Sequence, residues 1–195
     1  KIITSYAPSN EPLGVGISYE DWSTMIKKLY TELEKRGLPT NFLSGADSWS
    51  DWIWKPAQYN ADQLSAYDFH NYLNDTPDDT YNQLYNRTIE TTFANYLANV
   101  YKYDNFNKPV HVSAMAPIGV PFIDWPVADA PAHCRIDTYE YALGFWDYGI
   151  QLARSGMASG LAWAIDGLEQ NKNAGMWNNA GTYGGMTLRP WYYTW

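Results

Sequence analysis

The chain of 195 residues has one cysteine, Cys134, and few basic residues, and each scarcity excludes a class of protein. A single cysteine rules out an intramolecular disulfide framework. The 13 Lys and Arg against 21 Asp and Glu give a net charge of −8. That charge argues against nucleic acid as a partner, because phosphate binding needs clustered basic side chains. No apolar run reaches the roughly 18 residues of a membrane-spanning helix, so we expect no membrane partner either.

Metal ligands and activated nucleophiles are also scarce. The histidines His70, His111 and His133 lie in separate segments without His-x-x-x-His spacing, so no metal site is predicted. Cys134 lies in a Pro- and Ala-rich segment, and the Gly-x-Ser-x-Gly pattern of a serine nucleophile is absent. No Gly-rich phosphate loop follows a predicted strand. We therefore expect neither a metal nor a cofactor.

Aromatic residues, by contrast, are abundant. The 10 Trp, 17 Tyr and 6 Phe make up 17% of the chain, which is more than packing alone requires. Trp and Tyr combine flat apolar faces with a polar group, which suits sugar rings as well as protein cores. The composition therefore fits either an aromatic-rich core or a surface that binds sugar rings.

Short apolar runs typical of strands alternate with amphipathic stretches typical of helices, which is the pattern of a parallel sheet. The predicted strands are 2–6, 41–45, 66–70, 109–113 and 160–165. Helices are predicted at 18–37, 56–64, 76–101 and 137–156, and another begins near 190. The first helix has Ser18 and Asp21 as an approximate capping box and Gly37 at its end.

Five parallel strands do not close a barrel, and an open edge would expose unpaired backbone. A doubly wound sheet is the alternative, but its dinucleotide-binding form lacks support without a Gly-rich loop. We therefore predict an α/β fold that is a partial (β/α)8 TIM barrel. Residues 1–195 are expected to form one partial catalytic domain, incomplete at the N-terminus and at the C-terminus. The remainder of the barrel would come from the missing N-terminal segment.

Polar and aromatic side chains cluster at the ends of the predicted strands. They are Asn10, Glu11, Asp47, His70, Tyr72, Trp163 and Asp166. In a (β/α)8 barrel such positions converge on the C-terminal face, where active sites are built. Taken singly, Asp47 also suits a helix cap and His70 a buried, hydrogen-bonded histidine. The repeated placement at strand ends favours a site.

The motif Asn10-Glu11-Pro12 resembles glycoside hydrolase clan A, the retaining (β/α)8-barrel glycosidases. In that clan the acid/base glutamate follows an asparagine at the end of strand four, which implies that Glu11 is the acid/base. Asn10 would then hold the sugar 2-hydroxyl. His70 and Tyr72 match the His or Tyr of strand six near the nucleophile, and Trp163 matches the strand-eight Trp that stacks on the sugar. The five strands would be strands four to eight.

The chain departs from the clan at the nucleophile. The clan's strand seven ends in a glutamate preceded by Ser or Thr, whereas Ser113 is followed by Ala114. Three explanations stay open: an engineered Glu-to-Ala replacement, a naturally inactive member that binds carbohydrate, or another carboxylate such as Asp124 or Glu140. Glu140 is better explained as a helix cap.

The resemblance implies a retaining glycoside hydrolase that cleaves a β-linked oligo- or polysaccharide by double displacement, impaired by Ala114. The alternative is a catalytically inactive carbohydrate-binding barrel. Asp47, Asp166 and Trp49 are candidate substrate-binding residues, although a loop Trp also suits a lid over the barrel rim. We expect an extracellular or periplasmic protein, although the first residues lack the apolar core of a signal peptide.

Overall fold

In a computed structural model, the structure describes residues 6–73, 82–105, 107–116, 138–162 and 188–194. Four strands lie within these ranges: β1 (Ser44–Ser48), β2 (Ala66–Tyr72), β3 (Val110–Ala116) and β4 (Ser159–Ala162). The α-helices are α1 (Tyr19–Lys35), α2 (Lys55–Tyr59), α3 (Thr88–Asp104) and α4 (Tyr139–Ser155). Short 3-10 helices cover Ser50–Ile53, Ala61–Gln63 and Pro190–Tyr193.

The strands form one parallel sheet in the order β1-β2-β3-β4. Helices come between successive strands along the chain, as expected for parallel neighbours. Before β1, Tyr6 pairs in parallel with Leu43. Most of the predicted strand at 2–6 lies outside the described residues, as does the predicted helix start at 76–79.

The first helix begins and ends where its sequence predicts. The Ser18 hydroxyl oxygen accepts the Asp21 backbone N–H at 3.1 Å and donates to the Asp21 carboxylate at 2.8 Å. At the other end Gly37 adopts a positive φ of 64°, while the Leu38 N–H donates to the Leu33 carbonyl. This is a Schellman motif, and glycine is favoured there because other residues are strained at positive φ.

The chain divides into two compact units. The first consists of Lys1–His70, Phe93–Ser113 and Gly156–Ser159. Its core contains Trp22 and Ile26 of α1, both fully buried. The second consists of Asn71–Thr92, Ala114–Ser155 and Gly160–Trp195.

In the second unit, α4 packs against the 3-10 helix Pro190–Tyr193. The rings of Phe145 and Trp191 lie 4.9 Å apart between centroids. The buried Gln151 side chain accepts the Glu90 backbone N–H and donates to the Leu84 carbonyl. These bonds satisfy backbone groups that would otherwise be costly to bury.

The second predicted strand is displaced along the chain. The expected strand 41–45 is instead β1, Ser44–Ser48, so Asp47 lies within a strand rather than after it. The reason is a bulge: Ala46 pairs with Asp68 and Ser48 pairs with Phe69, which leaves Asp47 as the extra residue. The predicted loop at 49–54 contains the 3-10 helix Ser50–Ile53. No helix in the described part of the chain is long and apolar enough to cross a membrane.

Candidate functional site

Glu11 lies in a turn that is fixed to the end of β1. Its backbone N–H donates to the Asp47 carbonyl at 2.9 Å, and its own carbonyl accepts the Gly14 N–H at 2.9 Å. Its φ of 49° is left-handed, which is uncommon for a residue with a side chain. The side chain is 38% exposed. The turn therefore fixes the backbone of Glu11 while its carboxyl group keeps access to solvent.

His70 comes from β2 and faces away from the helix that packs on that strand. Its neighbour Phe69 packs against Phe93 and Tyr96 of α3, with ring centroids 5.9 and 5.6 Å away. Successive strand residues point to opposite faces of a sheet, so His70 points away from α3. Its Nδ1 lies 2.7 Å from Oε1 of Glu11.

Asp47 contacts the His70 imidazole from the side opposite Glu11, so that the three side chains form one hydrogen-bonded group. Its Oδ1 lies 2.9 Å from Nε2 of His70 and accepts the Ser113 hydroxyl at 2.5 Å. Asp47 is the bulged residue of β1, with a φ of 54°. Bulges re-aim side chains and are enriched next to active sites. The bulge therefore explains how a strand residue comes to bond His70.

Asp68 contacts the backbone of Asp47 and is almost fully buried. Its Oδ1 accepts the backbone N–H of Asp47 at 2.7 Å. Burial, reinforced by the charge of Asp47, raises the pKa of Asp68 to about 7, against the opposing effects of a Ser44 hydrogen bond and the His70 charge. Asp68 thus changes charge near neutral pH while it holds the bulged backbone.

The segment before Glu11 is supported by α1. The indole Nε1–H of Trp22 donates to the Ser9 hydroxyl at 2.9 Å. Trp22 packs directly under β1, where an added Cβ at Gly45 would lie 2.6 Å from its ring. The absence of a side chain at Gly45 therefore permits the indole to reach Ser9.

Asn10 and Trp49 lie in loops of the same unit. Asn10 is exposed. Trp49 is 38% exposed, and its ring covers Gly14 closely enough that an added Cβ would lie 2.8 Å from Cη2. Both side chains are thus accessible, as a sugar contact requires.

The remaining candidates belong to the second unit or to parts of the chain outside the described residues. Tyr72 is half-buried at the end of β2, and Ala114 is buried near the end of β3. Next to Ala114, Met115 packs with Leu152 against Gly160. The predicted sites Trp163 and Asp166 lie outside the described residues.

Two residues of the site are absent from the sequence-based predictions, Asp68 and Ser113. The signal for Asp68 was available: it lies two residues before His70, and strand residues two apart share a face. Ser113 directly precedes the predicted nucleophile position, and its bond to Asp47 depends on pairing across the sheet.

The arrangement places one imidazole between two carboxyl groups. A carboxylate accepts hydrogen bonds, whereas a neutral imidazole has one donor and one acceptor nitrogen. The group therefore binds a proton tightly, and it has the components for proton transfer at Glu11. Among the described residues, no cluster of three or more His, Cys, Asp or Glu side chains is placed to hold a metal ion.

No protein-family model and no curated protein matches this sequence. Solved structures do match it. The GH51 arabinofuranosidase from Xanthomonas axonopodis pv. citri has a TM-score of 0.65 and 15% identity, over 97% of this chain and 41% of that protein. A monomeric β-xylosidase from Caulobacter crescentus CB15 has a TM-score of 0.60 and 12% identity, over 95% and 39%. A glucosidase from Croceicoccus marinus has a TM-score of 0.58 and 14% identity, over 88% and 36%.

At these identities the similarity shows the fold. The chain spans 36–41% of the length of these glycoside hydrolases and matches them over nearly all of its own length. Together with the parallel four-stranded sheet, this confirms the predicted fold class. The chain has the fold of a partial (β/α)8 barrel of the kind found in glycoside hydrolases.

Proposed function

We propose that this chain carries the acid/base of a retaining β-glycosidase, Glu11, and lacks the nucleophile, because Ala114 stands in its position. In a retaining enzyme one carboxyl group protonates the leaving oxygen and a second attacks the anomeric carbon. The glycosyl-enzyme intermediate is then hydrolysed by water, with the first group acting as base. Glu11 would serve both as acid and as base.

The observation that carries this proposal is the position of the Glu11 carboxyl group. It is partly exposed to solvent, belongs to a backbone-fixed turn at the end of β1, and contacts His70 at 2.7 Å. A general acid needs access to the leaving oxygen and a partner that holds its proton in place. A partial barrel similar to those of glycoside hydrolases supports the same assignment.

Alanine at position 114 would remove the first displacement, in which the nucleophile attacks. A methyl group can neither attack the anomeric carbon nor stabilise the positive charge that develops there. The chain as it stands would therefore bind a substrate with Glu11 at the leaving oxygen, without forming a glycosyl-enzyme intermediate. Hydrolysis by double displacement would be lost or strongly reduced.

The substrate class follows from the resemblance and from the similar structures. β-Glucosides, β-mannosides, β-xylosides and β-galactosides are the leading candidates, and α-L-arabinosides follow. A glucosidase, a β-xylosidase and an arabinofuranosidase among the similar structures fall in this range. Asn10 and Trp49 are the accessible side chains that we expect to contact the sugar.

The test is to restore the missing carboxyl group by Ala114→Glu in the full-length protein. We expect this variant to release nitrophenol from at least one nitrophenyl glycoside of the classes above. Ala116→Glu is the matched control, because it places the same charged side chain in another buried position of β3. It should remain inactive.

Adding Glu11→Gln to the Ala114→Glu variant should then lower kcat by about 10²–10⁴-fold on substrates with poor leaving groups. Substrates with activated leaving groups need little protonation, so the rate of their first step should fall much less. A folded Ala114→Glu protein that cleaves no glycoside of the panel contradicts the proposal.

A second candidate function is carbohydrate binding without cleavage. It is favoured by Ala114 itself and by the accessible Trp49 ring, which offers a stacking face beside the Glu11 turn. Calorimetric titration with oligosaccharides separates the two functions. Binding that is lost in Trp49→Ala, combined with an inactive Ala114→Glu variant, supports the binding function.

A further inference from the structure

His70 has a geometry that suits holding Glu11 better than holding a sugar. Both ring nitrogens are engaged by side chains of the protein, Nδ1 by Glu11 at 2.7 Å and Nε2 by Asp47 at 2.9 Å. The His70 side chain is 6% exposed. A sugar hydroxyl would have to displace one of these carboxyl groups to reach a ring nitrogen.

The hydrogen bonds limit the protonation states that Glu11, His70 and Asp47 can adopt together. When both carboxyl groups are ionised they only accept hydrogen bonds, so both contacts are satisfied only by a doubly protonated imidazolium. With a neutral imidazole, Nε2–H can donate to Asp47 while Nδ1 accepts from a protonated Glu11. The two states have the same number of protons and differ only in where one proton lies between Nδ1 of His70 and Oε1 of Glu11.

Asp47 fixes which nitrogen takes part. Because Asp47 accepts the Ser113 hydroxyl and lies on the bulge of β1, its carboxylate is held against Nε2. The Nε2 proton therefore stays with His70 in both states. Nδ1 is left as the nitrogen that exchanges a proton with Glu11.

We propose that His70 is a positioning residue for Glu11: anchored by Asp47, it orients the Glu11 carboxyl group and shares one proton with it. In the transfer, the Nδ1–H bond of the imidazolium breaks and an O–H bond forms on Glu11. The products are a neutral imidazole and a carboxylic acid. Its catalytic consequence, a protonated and oriented Glu11 when the leaving group departs, rests on the proposed function, whereas the proton sharing does not.

The electrostatics of the surroundings agree with this proposal. Burial alone would lower the pKa of His70, but the hydrogen bonds and charges of Asp47 and Glu11 outweigh it and raise the pKa. Titratable groups around His70 in the described ranges include Glu11 in its turn, Asp47 of β1 and Asp68 of β2. The pKa of Asp68 is raised mainly by burial, so this third carboxyl group is partly neutral near pH 7.

The test is a pH titration of the ¹⁵N signals of the histidine rings in the full-length protein, with no substrate present. His70 is expected to keep both ring protons to a pH above the ordinary histidine pKa of about 6.5. His111 is the internal reference, since burial lowers its pKa and its Nδ1 contacts the neutral Ser159 hydroxyl at 2.8 Å.

Two variants separate the contributions. Asp47→Asn and Glu11→Gln should each lower the titration midpoint of His70 by about 1–3 pH units, because each removes a neighbouring negative charge. Glu34→Gln removes the same charge from an exposed position on α1 and should leave the midpoint unchanged. The His111 midpoint should not move in any of the three.

A His70 midpoint at or below that of His111 would overturn the proposal. So would a midpoint that is unchanged in Glu11→Gln, because His70 would then serve Asp47 alone. Neither result depends on activity. An inactive Ala114→Glu variant would instead count against the proposed function and leave the shared proton intact.

Discussion

Gly45 is the position where one added methyl group tests the packing beneath the candidate site. In Gly45→Ala the Cβ would lie 2.6 Å from Cζ2 and 3.0 Å from Cη2 of Trp22. Carbon atoms in contact are normally about 3.5–4.0 Å apart, so the indole would have to move by roughly 1 Å. Such a movement would also pull Nε1 away from Ser9, to which it donates at 2.9 Å.

Trp22 has little room to move. It is buried, and its ring packs against Tyr19 and Trp52 at centroid distances of 5.5 and 6.0 Å. Overpacking a closed core costs about 1–3 kcal/mol. For a chain of this size each kcal/mol lowers the Tm by about 2–4 °C, so we expect a loss of roughly 2–12 °C.

The assay is thermal unfolding followed by near-UV circular dichroism, which also reports the tryptophan environment. Gly14→Ala is the matched control, because its Cβ would meet Cη2 of Trp49 at 2.8 Å. Trp49 is 38% exposed and can rotate toward solvent, so the loss should be clearly smaller. If Gly45→Ala unfolds at the same temperature as the parent protein, or no lower than Gly14→Ala, Trp22 has room to move and is not tightly packed under β1.

The remaining predictions concern buried polar groups. The pKa of Asp68 is about 7 in the folded chain and about 3.9 in the unfolded chain. Between these two pH values the folded state binds more protons than the unfolded state. The free energy of unfolding therefore falls as the pH rises from about 4 to 7, by up to about 4 kcal/mol. Asp68→Asn should remove this loss of stability with pH, which urea unfolding at several pH values would measure. An unchanged pH dependence in Asp68→Asn would contradict the raised pKa of Asp68. Trp22→Phe should lose the bond to Ser9 and, in the Ala114→Glu background, lower kcat more than it raises KM. Gln151→Leu should cost about 1–4 kcal/mol, since the buried Leu84 carbonyl and the part-buried Glu90 N–H lose their partner. A loss well under 1 kcal/mol in urea unfolding would contradict this.

The local parts of the fold could be predicted from the sequence because their signals are local. Ser18, Asp21 and Gly37 determine the ends of α1 through contacts within one or two turns of the helix. Strand existence likewise followed from apolar runs. The bulge at Asp47 could not be predicted, because it depends on how β1 pairs with β2.

The site could be predicted as a set of residues but not as a set of contacts. Glu11, Asp47 and His70 were all expected at strand ends, and the structure brings them together. Their bonds join residues 59 and 23 positions apart in the chain, so no local pattern specifies them. The expectation that Asp47 and His70 bind substrate remains a prediction. For His70, the proposed role as a positioning residue would replace it.

Azide tests most directly whether Ala114 stands where the partner of Glu11 should be. With a dinitrophenyl glycoside of the right sugar, the full-length protein should form a glycosyl azide of inverted anomeric configuration. Azide would attack the anomeric carbon from the side that the missing nucleophile would occupy. Proton NMR of the product identifies its configuration. Formation of this azide is the predicted result; a folded protein that yields no azide product on the panel, or one of retained configuration, would contradict it.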